Sequence, residues 1–599
     1  MLRHVHTLAR SARLTAAPLL LLAAAPAQRS PETRVDRAPA GTQATAPQMA
    51  AFGRSVYLVW QDDRNGSGDI FFNRSNDAGK TWMGQDVRLD TSAAGSSDSR
   101  NPQIAVNGAR LIVTWVDERS GSFDVYCNRS LDGGATWLAA DVRINSISSR
   151  SATTAPRPRA IAAGGFFYVL WDDYRLANAD VYFNRSRDAT AGSWLANDIR
   201  LDVGSTIGSA ASLFPQLATS GALGQSVFAT WADRRDGQFD IYFSRSLDSG
   251  ANWLSPDVRL DVGSAAGAAL SGVPQIATSG GAVYVVWADA RDGETDIYFN
   301  RSLDNGTTWL DPDVRLDTDA AGAAASGQPQ LAASGDAVYV VWSDSRNGET
   351  DVYFNRSLDR GGSFLGTDVR LDTDAAGAAA STEPQIAAAG DHLYVAWTEG
   401  RNPTTDLYYN RSANAGANWL PDDVALDTSA TQRLINATAP QVAATGPYVA
   451  WQAGTASGQA VYFNIPFGFQ TYGNGNVGAG GQVPQMGGSG LAIIGGPITL
   501  DVANAVGGAP GAMFLGAGPS SRTALPIQQG TLQVIPLITL GFGTTGPAGV
   551  PGIGKASIPL TLPSNPVFVG ANINLQAWIV DDQSPTEFAH TGGLELWIG

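Results

Sequence analysis

Val283-Tyr284-Val285-Val286-Trp287-Ala288-Asp289-Ala290-Arg291 carries a short apolar run into a Trp-x-Asp-x-Arg signature. The same signature stands at Trp60–Arg64, Trp115–Arg119, Trp171–Arg175, Trp231–Arg235 and Trp342–Arg346, with a variant at Trp397–Arg401 and a worn copy at Trp451. Successive tryptophans are 55, 56, 60, 56, 55, 55 and 54 residues apart. A constant period of this size marks a repeat architecture, and it lets the chain be aligned with itself. A residue present in every copy serves the frame. A residue that varies from copy to copy is free to serve function.

One copy reads Pro274-Gln275-Ile276-Ala277, then Val283–Trp287, then Asp296-Ile297-Tyr298-Phe299-Asn300-Arg301-Ser302, then Asp313-Val314-Arg315-Leu316-Asp317. These segments are short, rich in Val, Ile, Tyr, Phe and Trp, and divided by Gly, Asn and Asp, which is strand and turn chemistry. No stretch of ten or more residues has helical apolar spacing. We denote the four strands a, b, c and d; four strands per repeat make a propeller blade. Strands a to c occur eight times, from Pro47 to Pro440, but strand d follows only the first seven copies. Thr33-Arg34-Val35-Asp36 has the missing strand-d pattern ahead of the first copy. The sequence therefore predicts an all-β, eight-bladed β-propeller over residues 33–464, closed by its N-terminal strand so that no blade is left with an open edge.

Between strands c and d runs Ser-x-Asp-x-Gly-x-Thr-Trp. The acidic position is Asp77, Asp132, Asp188, Asp248, Asp304, Asp359 and, as an amide, Asn414. This motif resembles the Asp box, or BNR repeat, of the sialidase superfamily. Its job is structural: the Asp accepts bonds from turn amides, the Gly tolerates positive φ, and the aromatic fills the gap between sheets. The Trp-x-Asp-x-Arg-x4-Asp pattern is expected to let Arg291 bridge Asp289 and Asp296 and pin the b–c hairpin. The Asn-Arg-Ser triplets, as at Asn300, lie inside strand c and are read as frame.

Residues 1–27 read as an export signal, with Arg3, Arg10 and Arg13 ahead of an apolar run and Ala25-Pro26-Ala27 at its end. The run is too short to span a bilayer, and no later stretch is long enough. The formal net charge of −16 argues against nucleic acid or anionic membrane as a partner. The single cysteine, Cys127, stands where other copies have Phe and reads as a buried hydrophobe. From Ile465 the rhythm stops, and residues 465–599 read as a β-sandwich. Tyr472-Gly473-Asn474-Gly475, Leu560–Pro563, Asn574–Trp578 and Leu594–Gly599 resemble a C-terminal module of secreted bacterial proteins, with Asn476 where its members often carry Cys. The expected location is secreted or at the cell surface, and the expected state is a monomer.

The superfamily resemblance implies exo-sialidase activity as one reading. Such enzymes hold a carboxylate with three arginines and use a Tyr nucleophile, a recognised exception among glycosidases. They also carry an Arg-Ile-Pro that this chain lacks, Arg100-Asn101-Pro102 and Arg157-Pro158 being weak analogues, and six blades where eight are counted here. Asp372–Glu383 matches part of a calcium loop, but position 5 is Ala376 and strands flank it, so neither metal nor cofactor is expected. Beyond the signal only His392 and His590 remain, too few for a histidine metal centre.

The informative positions are those that vary. The residue before the strand-a proline is Ala46, Asn101, Arg157, Phe214, Val273, Gln328, Glu383 and Ala439 in turn. Strand a is innermost in a propeller, so these residues ring one mouth of the channel. Asn101, Arg157, Gln328 and Glu383, with Arg159 where the other copies have Gln, are the candidate ligand-binding residues. An Arg pair near a lone Glu suits a carboxylate or hydroxyl-rich ligand. The expected role is non-catalytic recognition of an extracellular glycan or protein, the alternative a sialidase-like exo-glycoside hydrolase.

Overall fold

A computed structural model describes residue 32 onward, except residues 150–153, 222–223, 402–403, 413, 421, 428–434, 444–446, 456–457, 467, 473–483, 491–496, 507, 518–521, 528–529, 535–537, 546–553, 562–571, 582–587, 592 and 598–599. The signal segment 1–27 lies outside the described residues. Those described contain strands and turns, and no helix long and apolar enough to cross a membrane. The chain forms two compact units, Pro31–Asn464 and Ile465–Gly599.

The first unit holds eight four-stranded antiparallel sheets. In the fifth blade strand a is Ser271–Ser279, b is Ala282–Asp289, c is Asp296–Ser302 and d is Val314–Arg315. Each sheet is covered on both faces by its neighbours, so strand b is buried along nearly its whole length instead of alternating. The tryptophans of the repeat, from Trp60 to Trp451, are fully buried. The strands a touch one another in cyclic order, the eighth returning to the first, so the sheets form a closed eight-bladed propeller with strand a innermost.

Closure uses the N-terminal segment. Thr33–Arg34 pairs antiparallel with Gly458–Asn464, Thr33 opposite Phe463 and Arg34 opposite Tyr462. Val35 N–H donates to Val461 O at 2.9 Å, and the Asp36 carboxylate accepts Val461 N–H at 2.9 Å.

The Ser-x-Asp-x-Gly turns are built alike. Asp304 Oδ1 accepts the Ser302 hydroxyl at 2.7 Å and the N–H of Thr307 and Thr308 at 3.0 and 2.9 Å. Trp309 meets Phe243 of the preceding blade edge-on at 4.7 Å. Asn300 of the Asn-Arg-Ser triplet is buried and donates to Leu260 O of the preceding blade at 3.0 Å.

The charged pattern departs from expectation. Arg291 pairs with Asp289, but its second partner is Asp313 at the start of strand d, at 2.8 Å, and not Asp296. Asp296 is held instead by Arg315, at 2.9 Å. The arginine thus ties strand b to strand d across the sheet, and its guanidinium lies 3.9 Å above the Tyr298 ring. The acidic cluster Asp351, Asp372 and Asp374 surrounds Arg370, which supplies its positive charge from within the chain.

In the second unit, strands Gln485–Gly490, Pro497–Ala505 and Gly554–Thr561 form one sheet. Pro510–Ala517, Asn572–Val580 and Gly593–Trp597 belong to another. Leu500 and Val502 of the first sheet share a core with Met513, Leu575 and Ile579 of the second, the packing of a β-sandwich.

Candidate functional site

The channel mouth is made where each strand a begins. In the fifth blade the pairing of a with b slips between Gly272 and Gln275, a β-bulge, and Val273 sits there at φ 53°. The equivalent residues Ala46, Asn101, Phe214, Gln328, Glu383 and Ala439 all have φ between 51° and 56°. Non-glycine residues avoid this region, and a proline following them adds to the cost. Seven blades carry this strained bulge. The third does not: its strand a starts at Arg159, and Arg157 is not among the positive-φ residues.

At three of the bulges a side chain of the preceding blade caps the strained amide. Gln328 Oε1 accepts the N–H of Glu383 in the next blade at 2.8 Å. Glu383 Oε2 in turn accepts the N–H of Ala439 at 2.8 Å, and Gln452 Oε1 accepts that of Ala46 at 2.6 Å. Asn101 reaches forward to Pro156 O at 3.5 Å. Gln328, Glu383 and Asn101 are therefore engaged with the next blade: the side-chain oxygens of Gln328 and Glu383 hold bulge amides, and the Asn101 amide N–H reaches a main-chain carbonyl. Glu383 stands four blades from Arg157 and Arg159, on the opposite side of the ring, so the structure does not bring the acid beside the arginine pair.

The third blade is where the departures converge. Asp172 follows the conserved Trp171, at the place held by Ala288 and Ser343 elsewhere. Its carboxylate is fully buried, accepting Arg157 N–H at 2.6 Å and the Arg157 guanidinium at 2.8 Å. Burial pushes the Asp172 carboxyl up, and Arg157 opposes that shift. The same guanidinium lies 4.7 Å from the ring centre of Phe214 in the fourth blade. Tyr174 completes the group; burial first, then the Asp172 charge, pushes its hydroxyl above the usual tyrosine range, with Arg157 opposing.

Arg159 occupies the inner wall, at the strand-a position filled by Gln in the other seven blades. Its Nε donates to Gln216 Oε1 of the next blade at 3.1 Å, and Nη1 approaches Pro158 O at 3.4 Å. No carboxylate lies within ion-pair distance of it among the described residues. Burial lowers its proton affinity, the Asp172 charge opposes that shift, and Arg157 adds to it as a like charge. Asp172 is in ion-pair contact with Arg157 alone, so two guanidinium groups share one carboxylate and the group is net positive on the channel wall.

Asp172 and Tyr174 were missed by the sequence reading, although both occupy the variable positions of Trp-x-Asp-x-Arg. The turn residues Asp77, Asp132, Asp188, Asp248, Asp304, Asp359 and Asn414 lie between strands c and d, at the blade ends opposite the mouth. A separate groove of about 360 Å³ runs past Ser96, Glu118 and Phe123, but its Arg119 is already paired with Asp117 and Asp141.

No protein-family model and no curated protein matches the chain. Solved structures similar to it include an ulvan lyase bound to a sulfated rhamnose disaccharide repeat, at 12% identity and a TM-score of 0.40, covering 64% of this chain and 94% of that one. Others are the β-propeller domain of the Trilobed protease from Pyrococcus furiosus, at 9% identity, a TM-score of 0.36 and 65% and 96% coverage, and the NanB sialidase from Streptococcus pneumoniae, at 12%, 0.32 and 62% and 67%. Propellers host many unrelated chemistries, and likeness at this distance carries no functional argument.

Proposed function

We propose that this chain is an exported recognition propeller of the Asp-box type that binds an acidic extracellular glycan, without cleaving it, at the third-blade side of the channel mouth. The observation that carries the reading is Arg159: a half-buried guanidinium with no carboxylate in ion-pair contact, in a wall where every equivalent residue is a neutral amide. A guanidinium half-buried in the wall without an ion-pair contact favours an anion, and its planar fork suits a carboxylate or sulfate held by two bonds. Arg157, fixed by Asp172 and stacked on Phe214, presents a second, pre-ordered donor face beside it.

The hydrolytic alternative needs an activated nucleophile. Tyr174 is the tyrosine at this site, and its surroundings raise its pKa, making the phenolate harder to form. Asp172 is committed to Arg157 through both oxygens. A glycan array read on the wild type and on Arg159→Gln tests the proposal, with free-sugar release assayed on every bound glycan. Binding of acidic glycans by the wild type alone, without release, is the expected result. Equal binding by both proteins, selectivity for protein ligands only, or sugar release would each refute it.

A further inference from the structure

Three serines at the seams between blades each face two carboxylates. Ser271 opens strand a of the fifth blade; its hydroxyl oxygen is 2.7 Å from Asp261 Oδ2, at the end of the fourth blade, and 2.9 Å from Asp289 Oδ2 in its own blade. Ser212 stands likewise between Asp202 at 2.6 Å and Asp233 at 2.9 Å, and Ser326 between Asp317 at 2.9 Å and Asp344 at 2.8 Å. All nine residues are buried. A hydroxyl has one proton to donate, so it satisfies only one carboxylate. The second oxygen–oxygen contact is attractive only if the other carboxyl brings a proton of its own.

The surroundings decide which carboxyl that is. Asp289 receives Arg291, the Trp287 indole N–H at 3.1 Å and the Arg291 main-chain N–H at 2.9 Å. Burial pushes Asp289 up, but those donors outweigh it and hold the group below the usual carboxylate range. Asp261 faces the second carboxylate of Asp240, and both share the single guanidinium of Arg259, at 2.9 and 3.2 Å. Burial, with the charges of Asp240 and Asp289, pushes Asp261 up to about 7 against the pull of Ser271 and Arg259. Asp202, beside Asp180 and Arg200, and Asp317, beside Asp296 and Arg315 with Asp319 on the same arginine, are also pushed up to about 7, burial leading in both.

The second blade supplies an internal control. Its residue at this position is Asn145, a neutral side chain with a fixed donor. The amide donates to Asp124 Oδ1 at 2.8 Å and accepts Val125 N–H at 3.0 Å. Asp317 accepts the corresponding Ile297 N–H at 3.2 Å, so the strand geometry is the same. The fold thus accommodates a donor-bearing neutral group where the other blades place an aspartate.

We infer that Asp202, Asp261 and Asp317 are neutral acids in the folded protein, each donating its proton to a seam serine that donates onward to the next blade, so that three blade-to-blade seams are proton-dependent. Above neutrality each proton is lost to solvent and two carboxylates compete for one hydroxyl. A raised folded-state pKa means stability that is complete below the unfolded carboxyl value, about 4, and is lost as pH rises toward the folded value, about 7. The first seam lies two residues from Phe214, the ring under Arg157.

The test is thermal unfolding of the full chain and of Asp261→Asn at pH 5 and pH 8. The variant mimics the protonated acid, so its Tm relative to wild type should rise by roughly 2–4 °C between the two pH values. A difference that does not change with pH overturns the inference. Should the variant fail to fold, the part of the wild-type infrared carboxylic-acid carbonyl band that is lost in Asp317→Asn decides, since Asp90, Asp372 and Asp427 are pushed up as well and add to the total band. It should be present at pH 5.5 and fade as pH rises through about 7. Its absence at pH 5.5 overturns the inference.

Discussion

Asp304 and Gly306 contribute differently within one turn. Asp304 gathers three donors on one exposed oxygen, and the Thr308 hydroxyl on the other at 2.8 Å. Asp304→Ala should cost about 1–2 kcal/mol in chemical denaturation and leave glycan binding unchanged, since the turn lies at the far end of the blade. A folded variant that binds more weakly would contradict that separation of frame from site. Gly306 has φ +79° and, in addition, a Cβ there would stand 2.6 Å from Phe243 Cζ of the preceding blade. Gly306→Ala should therefore destabilise more than Asp304→Ala, because it adds backbone strain and displaces a fully buried ring between blades. Equal losses in the two variants would mean the ring contact is soft.

Among the elements, the N-terminal strand matters most for its size. Removal of residues 28–40 would leave Gly458–Asn464 as an unpaired edge and strip Val461 of both bonds to Val35 and Asp36. We expect the truncated chain to self-associate in sedimentation while the intact chain does not; a monodisperse truncation would refute the closure's importance. This strand was legible in the sequence because Arg34-Val35-Asp36 repeats a pattern seen seven times elsewhere. The blade itself was legible for the same reason, as period and turn chemistry agree in every copy. The partner of Arg291 was not. Asp296 is near in sequence, whereas Asp313 becomes near only once strand d folds back along strand c. The bulges were hidden too: nothing in the residue type announces positive φ when Ala, Phe, Val and Glu all adopt it. At the site, Arg157 and Arg159 stood out against the repeat, but Asp172 and Tyr174 sat inside the signature taken as frame. Glu383 was grouped with the arginine pair by residue type, although the order of the copies already sets blades three and seven of eight on opposite sides of the ring.

Across the whole molecule, the turns give stability an acid dependence. The Ser302 hydroxyl, then the Thr308 N–H, presses the Asp304 carboxyl down to about 2, and Ser193, then Thr190, does the same for Asp188. A lowered folded-state pKa means stability that is present above the unfolded value, about 4, and is lost as pH falls toward 2. The Tm advantage of the wild type over Asp304→Asn should shrink between pH 5 and pH 2; a constant advantage would show that the charge itself is idle. The proposed third-blade site is tested most directly by titration calorimetry of one acidic oligosaccharide against the wild type, Arg159→Gln and Glu383→Gln. Arg159→Gln gives the third blade the residue of the other seven, and Glu383→Gln keeps an oxygen for the Ala439 cap on the far side. The prediction is a loss of roughly 1.5–3 kcal/mol, about ten- to a hundredfold in Kd, for Arg159→Gln, with Glu383→Gln matching the wild type. Unchanged affinity in Arg159→Gln, or a loss confined to Glu383→Gln, would contradict it.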